Sequence, residues 1–360
     1  MATRFLLTAG VGLLGGFIFY FLHIPIPWLL GSMIAIMIYK HAFKQKVYWP
    51  KNLRNTGLIL TGYTLGTAFT LETCIRIGTQ IPSILLSTLS TVSFGLMLGY
   101  IAYKRTGISL SSAILGTTPG GMTQMATLSE EIKGGDVTIV TFMQTTRQLT
   151  VLFVIPFLVM QQLPSSSRPS ITLQSILAIG PSHLYTPLNI LIFAAVALGA
   201  AILAKKAKLP NSFLLGPLAA TAVLMIAGMP QLKLPQILIY LAQLLIGIHL
   251  GNKAKIESLS KYWKALWPYA LGGAVSMVFF ALFIGYLLTL IHPTLTLVDA
   301  FLCVSPGSMP EMAFIALQVD ADITALTAFG IFRVLFIYFV VPIAVKWRFG
   351  MIEDSDSSAL

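Results

Sequence analysis

The chain has 360 residues, of which 56% are hydrophobic and 10% are charged, and its formal net charge is +11. Soluble domains carry roughly 25% charged residues, so this composition excludes an ordinary soluble domain. The positive charge alone would suggest a nucleic-acid partner, but the basic residues occupy short loops beside apolar runs, which is the pattern that sets membrane topology. Cys74 and Cys303 lie in apolar sequence without the spacing of a disulfide framework or a metal site.

Long apolar runs follow one another along the chain, and several approach the roughly 20 residues that a helix needs to span a hydrocarbon core. Such runs are too long for barrel strands, and backbone groups in lipid must be satisfied internally, so we expect an all-α polytopic membrane protein. The predicted full spans are 4–22, 26–41, 52–70, 80–103 and 136–160, followed by 188–205, 211–229, 235–252, 265–291 and 321–346. Helix-breaking sequence interrupts two further segments, at 108–131 and 296–318.

These elements divide the chain into two similar halves. The first membrane repeat is predicted at 1–160 and the second at 188–348, each with full spans and one broken segment. A linker rich in Ser and Pro joins them at 161–187, and a polar tail follows at 349–360.

The strongest sign of duplication is a helix-breaking motif that occurs twice. The sequence PGGMTQM at 119–125 recurs as PGSMPEM at 306–312. Three further residues recur at nearly the same spacing from the motif: Asp136, Arg147 and Pro156 match Asp322, Arg333 and Pro342. A collinear series of this kind indicates duplication, and broken hydrophobic segments at corresponding places in two halves are typical of a transporter site.

The loop charges indicate that the second half is inverted relative to the first. Basic residues follow the second and fourth spans of the first half, at 40–54 and 104–105, but the first and third spans of the second half, at 205–208 and 253–264. Inversion places nearly all of them in the cytoplasm, as the positive-inside rule requires.

The two halves are inverted only if the chain crosses the membrane an odd number of times between a residue and its equivalent. Two topologies meet this condition. In the favoured one, each broken segment is re-entrant, each half has five full spans, and both termini are cytoplasmic. In the alternative, the broken segments cross the membrane and the linker stretch at 171–179 adds a span.

The first copy of the motif carries a resemblance to a known family. The sequence GTTPGGMTQMATLSEE at 116–131, followed by GGD at 134–136, resembles the membrane AbrB family of bacteria. The resemblance covers essentially the whole chain and implies a duplicated, multi-pass protein of the bacterial cytoplasmic membrane. Its members are labelled as regulators of gene expression or as ammonia monooxygenases, and the family is distinct from the small DNA-binding regulator of the same name. The second copy departs from the first at Ser308, Pro310 and Glu311.

Pro119, Gly120 and Gly121 predict a true break in a helix, because proline lacks an amide and glycine loosens the backbone. Freed backbone groups are tolerated at membrane depth only where they are buried in protein or line a wet cavity. The following half-helix would point its positive N-terminal end inward, which suits an anion or a carboxylate. We favour this substrate-binding interpretation over a kink that only lets helices pack closely. The candidate residues around the two breaks are Thr118, Pro119, Gly120, Gly121, Gln124, Pro306 and Gly307.

Arg147, Arg333 and Glu311 complete the candidate substrate-binding site. Each arginine lies near the middle of its span, where an arginine is costly and is by default a functional candidate. Glu311 is the expected charge partner, so the alternative is a structural ion pair that ties a broken segment to the last helix. Asp136 and Asp322 are expected to cap the helices that carry the arginines.

Three hypotheses about the function are compatible with these features. The favoured one is a secondary transporter that moves a small, anionic solute through a midplane site, with proton or ion coupling. The alternative is a membrane sensor or regulator that influences gene expression indirectly. A monooxygenase ranks last, since the chain offers no pair of histidines within one turn for a metal centre. We expect that the protein is not an enzyme and that it has no catalytic residue, metal or cofactor. The expected partners are the lipid bilayer and the solute, without nucleic acid, and a homodimer is left open.

Overall fold

The structure is a computed structural model that describes residues 2–44, 46–161, 187–253 and 263–351. Helices make up most of the described chain. In order they are α1 Ala2–Phe21, α2 Pro27–His41, α3 Lys51–Gly66, α4 Leu71–Thr106, α5 Leu110–Thr117, α6 Met122–Glu131, α7 Val137–Gln161, α8 Pro187–Lys206, α9 Ser212–Ile226, α10 Gln236–Lys253, α11 Trp263–Ile291, α12 Leu297–Val304, α13 Met309–Gln318 and α14 Ile323–Phe349. Most of the predicted linker and tail lies outside the described residues, including the stretch at 171–179.

The helix bounds follow the predicted elements closely, with one clear exception. α4 begins at Leu71, well before the predicted span at 80–103, and contains Pro82 within it. The earlier start has a local cause, because the backbone amide of Thr73 donates to the side chain of Thr70 at 3.2 Å and the Thr70 amide donates to the Thr73 hydroxyl at 2.8 Å. Such reciprocal bonds satisfy amides that the first helical turn leaves free.

Five helices in the described ranges are long and apolar enough to cross a membrane: Thr3–Phe21, Leu71–Thr106, Val137–Met160, Ala265–Ile291 and Ile323–Phe349. Together with the helical content, these lengths support an all-α polytopic membrane protein. Several other described helices, α2, α3 and α9, have only 15 or 16 residues. The expected count of about ten full spans therefore stays a prediction.

The chain forms two compact units. Unit 1 contains Met1–Ile81, Ile155–Ala254 and Met309–Ala328, and unit 2 contains Pro82–Val154, Lys255–Ser308 and Phe329–Leu360. Each unit takes segments from both predicted halves.

In unit 1, helices from the two halves approach each other at glycines. α3 packs on α9, where a Cβ at Gly62 would overlap the carbonyl oxygen of Leu214. α10 packs on α2 in the same way, because a Cβ at Gly247 would lie 2.5 Å from the carbonyl oxygen of Leu29. Gly62 corresponds to Gly247 in the motif alignment, and Leu29 corresponds to Leu214. Equivalent positions thus make reciprocal close contacts, which bring two backbones together as small residues do between membrane helices.

α3 and α10 also contact each other in unit 1. They run antiparallel, because Gly57 of α3 lies beside Ala242 of α10 whereas the earlier Arg54 lies near the later His249. A Cβ at Gly57 would meet the carbonyl oxygen of Ala242 at 3.1 Å and the Leu245 side chain at 3.3 Å. Trp49, which precedes α3, donates from its indole nitrogen to the Leu245 carbonyl at 3.2 Å. Gly57 and Ala242 correspond in the sequence alignment of the two predicted halves, so the two helices contact each other at residues that the alignment pairs.

Unit 2 repeats the use of small residues. α4 packs on α5, where a Cβ at Gly99 would lie 3.0 Å from the carbonyl oxygen of Ala113. α11 packs on α12, where a Cβ at Gly285 would lie 2.9 Å from the Phe301 backbone. Each short helix is therefore held against a long one through a close backbone approach.

Replacing Gly62 with Leu should destabilise the protein by about 1–3 kcal/mol or more, because the side chain would have to displace the α9 backbone. The melting temperature of the purified protein in detergent measures this loss. Gly10→Leu is the matched control, since a Cβ at Gly10 meets nothing within 4 Å. Equal melting temperatures for the two variants would contradict the proposed packing role of Gly62.

Candidate functional site

The first interrupted helix consists of α5, the residues 118–121 and α6. The Ser109 side chain caps the start of α5 by accepting from the Ser112 amide at 3.2 Å. At the other end, Thr118 has extended backbone angles (φ −61°, ψ 129°) and donates its amide to the Ile114 carbonyl at 2.9 Å. The helix ends here because the ring of Pro119 sterically disfavours helical backbone angles at the preceding residue, Thr118. The predicted break is confirmed.

The two ends of this interrupted helix lie beside each other. The hydroxyl of Ser109 donates to the Gly134 carbonyl, and Ser112 donates to the same carbonyl at 3.2 Å. The Asp136 amide in turn donates to the Ser112 hydroxyl at 2.8 Å. Since residues that precede α5 contact residues that follow α6, the segment folds back as a hairpin. Two collinear helices would separate these residues by far more than a hydrogen bond.

The second interrupted helix repeats the local geometry at equivalent positions. Thr296 accepts from the Asp299 amide at 3.1 Å, and the Asp299 carboxylate accepts from the Thr296 amide at 2.9 Å, so α12 begins with a capping box. Ser305 (φ −52°, ψ 136°) precedes Pro306 and donates its amide to the Phe301 carbonyl at 2.9 Å. This break is confirmed as well.

Arg147 holds the carbonyl groups of the first break. Its guanidinium donates to the Thr118 carbonyl at 2.8 Å, to the Gly120 carbonyl at 3.1 Å and to the Gln144 side-chain oxygen at 2.8 Å. The side chain is buried, with 8% of its surface exposed. The carbonyl end of a helix carries a negative partial charge and unsatisfied acceptors, which a cationic donor stabilises.

Arg333 holds the second break through corresponding contacts. It donates to the Ser305 carbonyl at 2.6 Å, to the Val304 carbonyl at 3.1 Å and to the Gly307 carbonyl at 3.3 Å. Ser305 and Gly307 are the counterparts of the residues that Arg147 contacts. These contacts give both arginines a structural role at the breaks. Direct binding of a solute by either one stays a prediction.

The space beside Arg147 is small in this conformation. A cavity of about 10 Å³ is lined by Gly116, Thr117, Met143 and Tyr269 together with Arg147. One water molecule requires about this volume. This cavity is therefore too small for an organic solute in the conformation described.

Gly120 and Gly121, both predicted site residues, have different surroundings. Gly120 is packed, because a Cβ there would overlap the Met125 side chain and lie 3.2 Å from Ile337. Gly121 is exposed, and a Cβ there would meet only the Gln124 side chain, at 3.9 Å. Gly121 is also the N-cap of α6, which has no side-chain cap and no acidic residue in its first turn. Among the described residues, the space in front of Gly121 at the N-terminus of α6 is therefore open.

The remaining predicted site residues are placed as follows. Gln124 lies near α14, with its amide nitrogen 3.5 Å from the Ile337 and Tyr338 carbonyls, a long distance for a hydrogen bond. Pro306 is buried at the second break. Glu311 is buried in the first turn of α13 and belongs to unit 1. Its expected charge pairing with an arginine stays a prediction.

Asp136 and Asp322 cap the helices that carry the arginines, as predicted. The Asp136 carboxylate accepts from the Thr138 amide at 2.8 Å, and the Asp322 carboxylate accepts from the Thr324 amide at 3.0 Å. Asp322 also forms a salt bridge with Arg76, which the sequence did not indicate.

Gln144 belongs to the site at the first break, although it was not among the predicted site residues. Its amide nitrogen donates to the Leu115 carbonyl at 2.7 Å and to the Thr118 carbonyl at 2.9 Å, beside the guanidinium of Arg147. It precedes Arg147 by three residues on the same helix, and this spacing is the sequence signal that identifies it.

Comparison with known proteins gives one family and two similar chains. The family model described as "Transition state regulatory protein AbrB" matches residues 28–349. "Uncharacterized protein YhjN" of Bacillus subtilis (strain 168) is 24% identical over 348 residues, which cover 91% of this chain and 88% of that protein. "Putative regulator AbrB" of Escherichia coli (strain K12) is 24% identical over 332 residues, which cover 91% of this chain and 92% of that protein. The family match includes both interrupted helices and both buried arginines, and the chain belongs to the AbrB family.

Proposed function

We propose that the protein is a secondary transporter that moves a small, anionic solute across the bacterial cytoplasmic membrane. The observation that carries this proposal is the pair of interrupted helices, each held by a buried arginine within an apolar, helical chain. Irregular backbone at membrane depth is tolerated where it is buried or lines a cavity. Discontinuous helices in corresponding places of two repeats are a common way to build a transport site.

We further propose that the two halves are inverted repeats. Gly57 of α3 and Ala242 of α10 correspond in the sequence alignment of the two halves, and the two helices pass each other there in antiparallel directions. Two equivalent helices that run antiparallel are related by a two-fold axis perpendicular to them. If both helices lie along the membrane normal, that axis lies in the membrane plane, which is the symmetry of inverted repeats.

The N-terminus of α6 is the proposed contact for the solute. Its first turn carries no acidic residue, whereas α13 has Glu311 in the equivalent turn. A carboxylate near a helix N-terminus offsets the positive end of the helix dipole. This compensation is built into α13 but not into α6, so α6 is the half-helix that suits an external anion. Arg147 then positions the break rather than binding the solute in this conformation.

A second candidate function is a membrane regulator that influences gene expression indirectly. It is favoured by the printed name of the Escherichia coli relative, "Putative regulator AbrB". A transport assay with purified protein separates the two functions, since a regulator that acts through a partner does not need to move a solute.

Gly121→Leu should abolish uptake without affecting folding, because the added side chain would fill the open space in front of α6. Uptake is measured in proteoliposomes with a panel of small organic anions, cations and amino acids. Gly272→Leu on α11 is the matched control, since Gly272 is exposed and a Cβ there meets nothing within 4 Å. We expect at least a tenfold loss for Gly121→Leu and wild-type uptake for the control. Uptake of cations alone, or full activity in Gly121→Leu, would contradict the proposed site.

Arg147→Gln should lower the melting temperature in detergent, because the Thr118 and Gly120 carbonyls would lose a charged donor. An unsatisfied buried acceptor costs about 1–3 kcal/mol. Arg76→Gln is the control, since its salt bridge is partly exposed and such pairs contribute about 0–1 kcal/mol. An unchanged melting temperature with complete loss of uptake would instead assign Arg147 to the solute.

Reporter fusions after Lys46 and after Lys264 should both report a cytoplasmic location, because the basic loops of the two halves lie on one side only if the halves are inverted. A fusion at each site with an enzyme that is active only outside the cytoplasm serves as the complementary control. Opposite locations for the two loops would rule out inversion.

A further inference from the structure

In unit 2, the accessible side of α7 is polar. Between positions 138 and 148 the exposed or partly exposed side chains are those of Thr138, Thr141, Thr145 and Gln148, and the other side chains in this stretch are buried. The four residues lie three or four positions apart, so they form one row along the helix. We refer to them as the polar stripe. Every accessible side chain in this part of a candidate membrane span is therefore polar.

Accessible helix surfaces have a different composition elsewhere in unit 2. Most exposed side chains of α4 at positions 82–97 are apolar, among them Leu85, Leu89 and Leu96. Apolar side chains of this kind are what a helix presents to the hydrocarbon core of a bilayer. The accessible side of α7 thus differs from a lipid-facing surface in the same unit.

The chemistry of the polar stripe separates two explanations for its polarity. A threonine hydroxyl tolerates lipid when it donates to its own helix, as that of Thr145 does to the Thr141 carbonyl at 2.7 Å. A glutamine amide has two donor hydrogens and an acceptor oxygen, and lipid supplies partners for neither. The partly exposed Gln148 therefore favours contact with water or with a polar solute over contact with lipid.

α6 lies beside the polar stripe. A tight turn joins the two helices, because a Cβ at Gly135 would overlap the Ser129 carbonyl oxygen. At the other end, the Thr145 hydroxyl oxygen lies 3.3 Å from the Met122 sulfur. Hence α6 and the first part of α7 run antiparallel side by side, over about 12–14 Å at the rise of a helix.

The exposed side of α6 is polar as well. Thr123, Thr127 and Glu130 are exposed, at the four-residue and three-residue spacing of one helix face. Gly121, at the N-terminus of this helix, is also exposed. The exposed surface of α6 thus leads from the turn before α7 to the first break.

The second half of the chain lacks this polarity at equivalent positions. Ile331 and Val334 are the counterparts of Thr145 and Gln148, and both are partly exposed. The packing that the two halves share does not require polar side chains at these positions. The polarity of the stripe is therefore an addition in the first half.

Charges of both signs lie where α6 meets α7. Glu131 pairs with Lys346 at 2.7 Å, and the Asp136 carboxylate caps α7. Glu130 and Lys133 are exposed there, with opposite charges. The polar stripe itself is uncharged, and its hydroxyl and amide groups both donate and accept. The stripe therefore offers hydrogen bonds to water and to solutes of either sign, and selection for an anion rests with the N-terminus of α6.

We propose that the polar stripe and the exposed side of α6 form one wall of a water-filled passage through which the solute reaches the N-terminus of α6. This passage presupposes the proposed transport function and supplies the route to its site. Freed backbone groups at a break are tolerated at membrane depth where they line such a cavity. The passage opens where α6 meets α7, close to the end of α4, because Ser109 contacts the Gly134 carbonyl there. Lys104 and Arg105 in the last turn of α4 indicate that this opening faces the cytoplasm.

Cysteine accessibility tests the passage without any transported solute. The full-length protein first has Cys74 and Cys303 replaced by serine. Thr145→Cys and Gln148→Cys are then each treated with a small, membrane-impermeant methanethiosulfonate in inside-out membrane vesicles. The thiolate is the reactive form, and apolar surroundings disfavour it whereas water does not.

Ile331→Cys and Val334→Cys are the matched controls, since these equivalent positions are partly exposed as well. We expect modification at Thr145→Cys and Gln148→Cys to be at least tenfold faster than at the controls. Thr141→Cys remains informative if Thr145→Cys does not fold.

Equal modification rates in the polar stripe and at the controls would overturn the proposal. Reaction of the stripe only from the outer side of intact cells would overturn it too, because the opening would then face away from the cytoplasm. A reactive stripe in a protein that takes up no solute would support the water-filled wall and contradict the transport function, so the two proposals fail separately.

Discussion

A helix that is interrupted among apolar helices must find partners for the backbone groups that the break sets free, and much of this structure follows from that requirement. Pro119 and Pro306 end α5 and α12, and the last carbonyls of each helix lose their intrahelical donors. Water is not available to replace them in a bilayer, and each unsatisfied group is costly. A guanidinium satisfies several carbonyls at once and carries the charge that a helix C-terminus favours. Lysine, with a compact ammonium group, lacks this planar fork.

Close helix packing is the second requirement, and glycine meets it in both units. Lipid tails are as apolar as leucine, so apolar burial contributes little to association between helices in a membrane. Backbones that approach closely at Gly62, Gly99, Gly247 and Gly285 gain dispersion contacts along the whole crossing. The short helices α5 and α12 depend on such crossings, because helices of eight residues are not stable alone. Arginine and glycine thus act together. The arginine donates to the carbonyl groups at the end of each short helix, and the glycine lets a long helix pack closely against the side of that short helix.

Much of the fold, but less of the site, could be predicted from the sequence. The breaks, the aspartate caps and most helix bounds depend on local chemistry, which proline, glycine and capping residues make visible. The partners of Arg147 depend on a hairpin that returns α7 to the end of α5, and no local pattern reports that distance. Gly120 is packed and Gly121 is open because only Gly120 faces the Met125 side chain, and the sequence does not show which way the turn is oriented.

The two copies of the motif differ in a way that this chemistry explains. Arg147 and Arg333 bind carbonyl oxygens, which every residue supplies, so their contacts constrain the arginines and the prolines but not the neighbouring side chains. The first turn after the break is therefore free to change, as Gly121 and Ser308 do. The carboxylate of Glu311 compensates the positive N-terminus of α13 from within the chain, whereas the first turn of α6 has no acidic residue and no side-chain cap. The same way of stabilising a break therefore supports two different chemical environments, one with a carboxylate in the following helical turn and one without an acidic residue there.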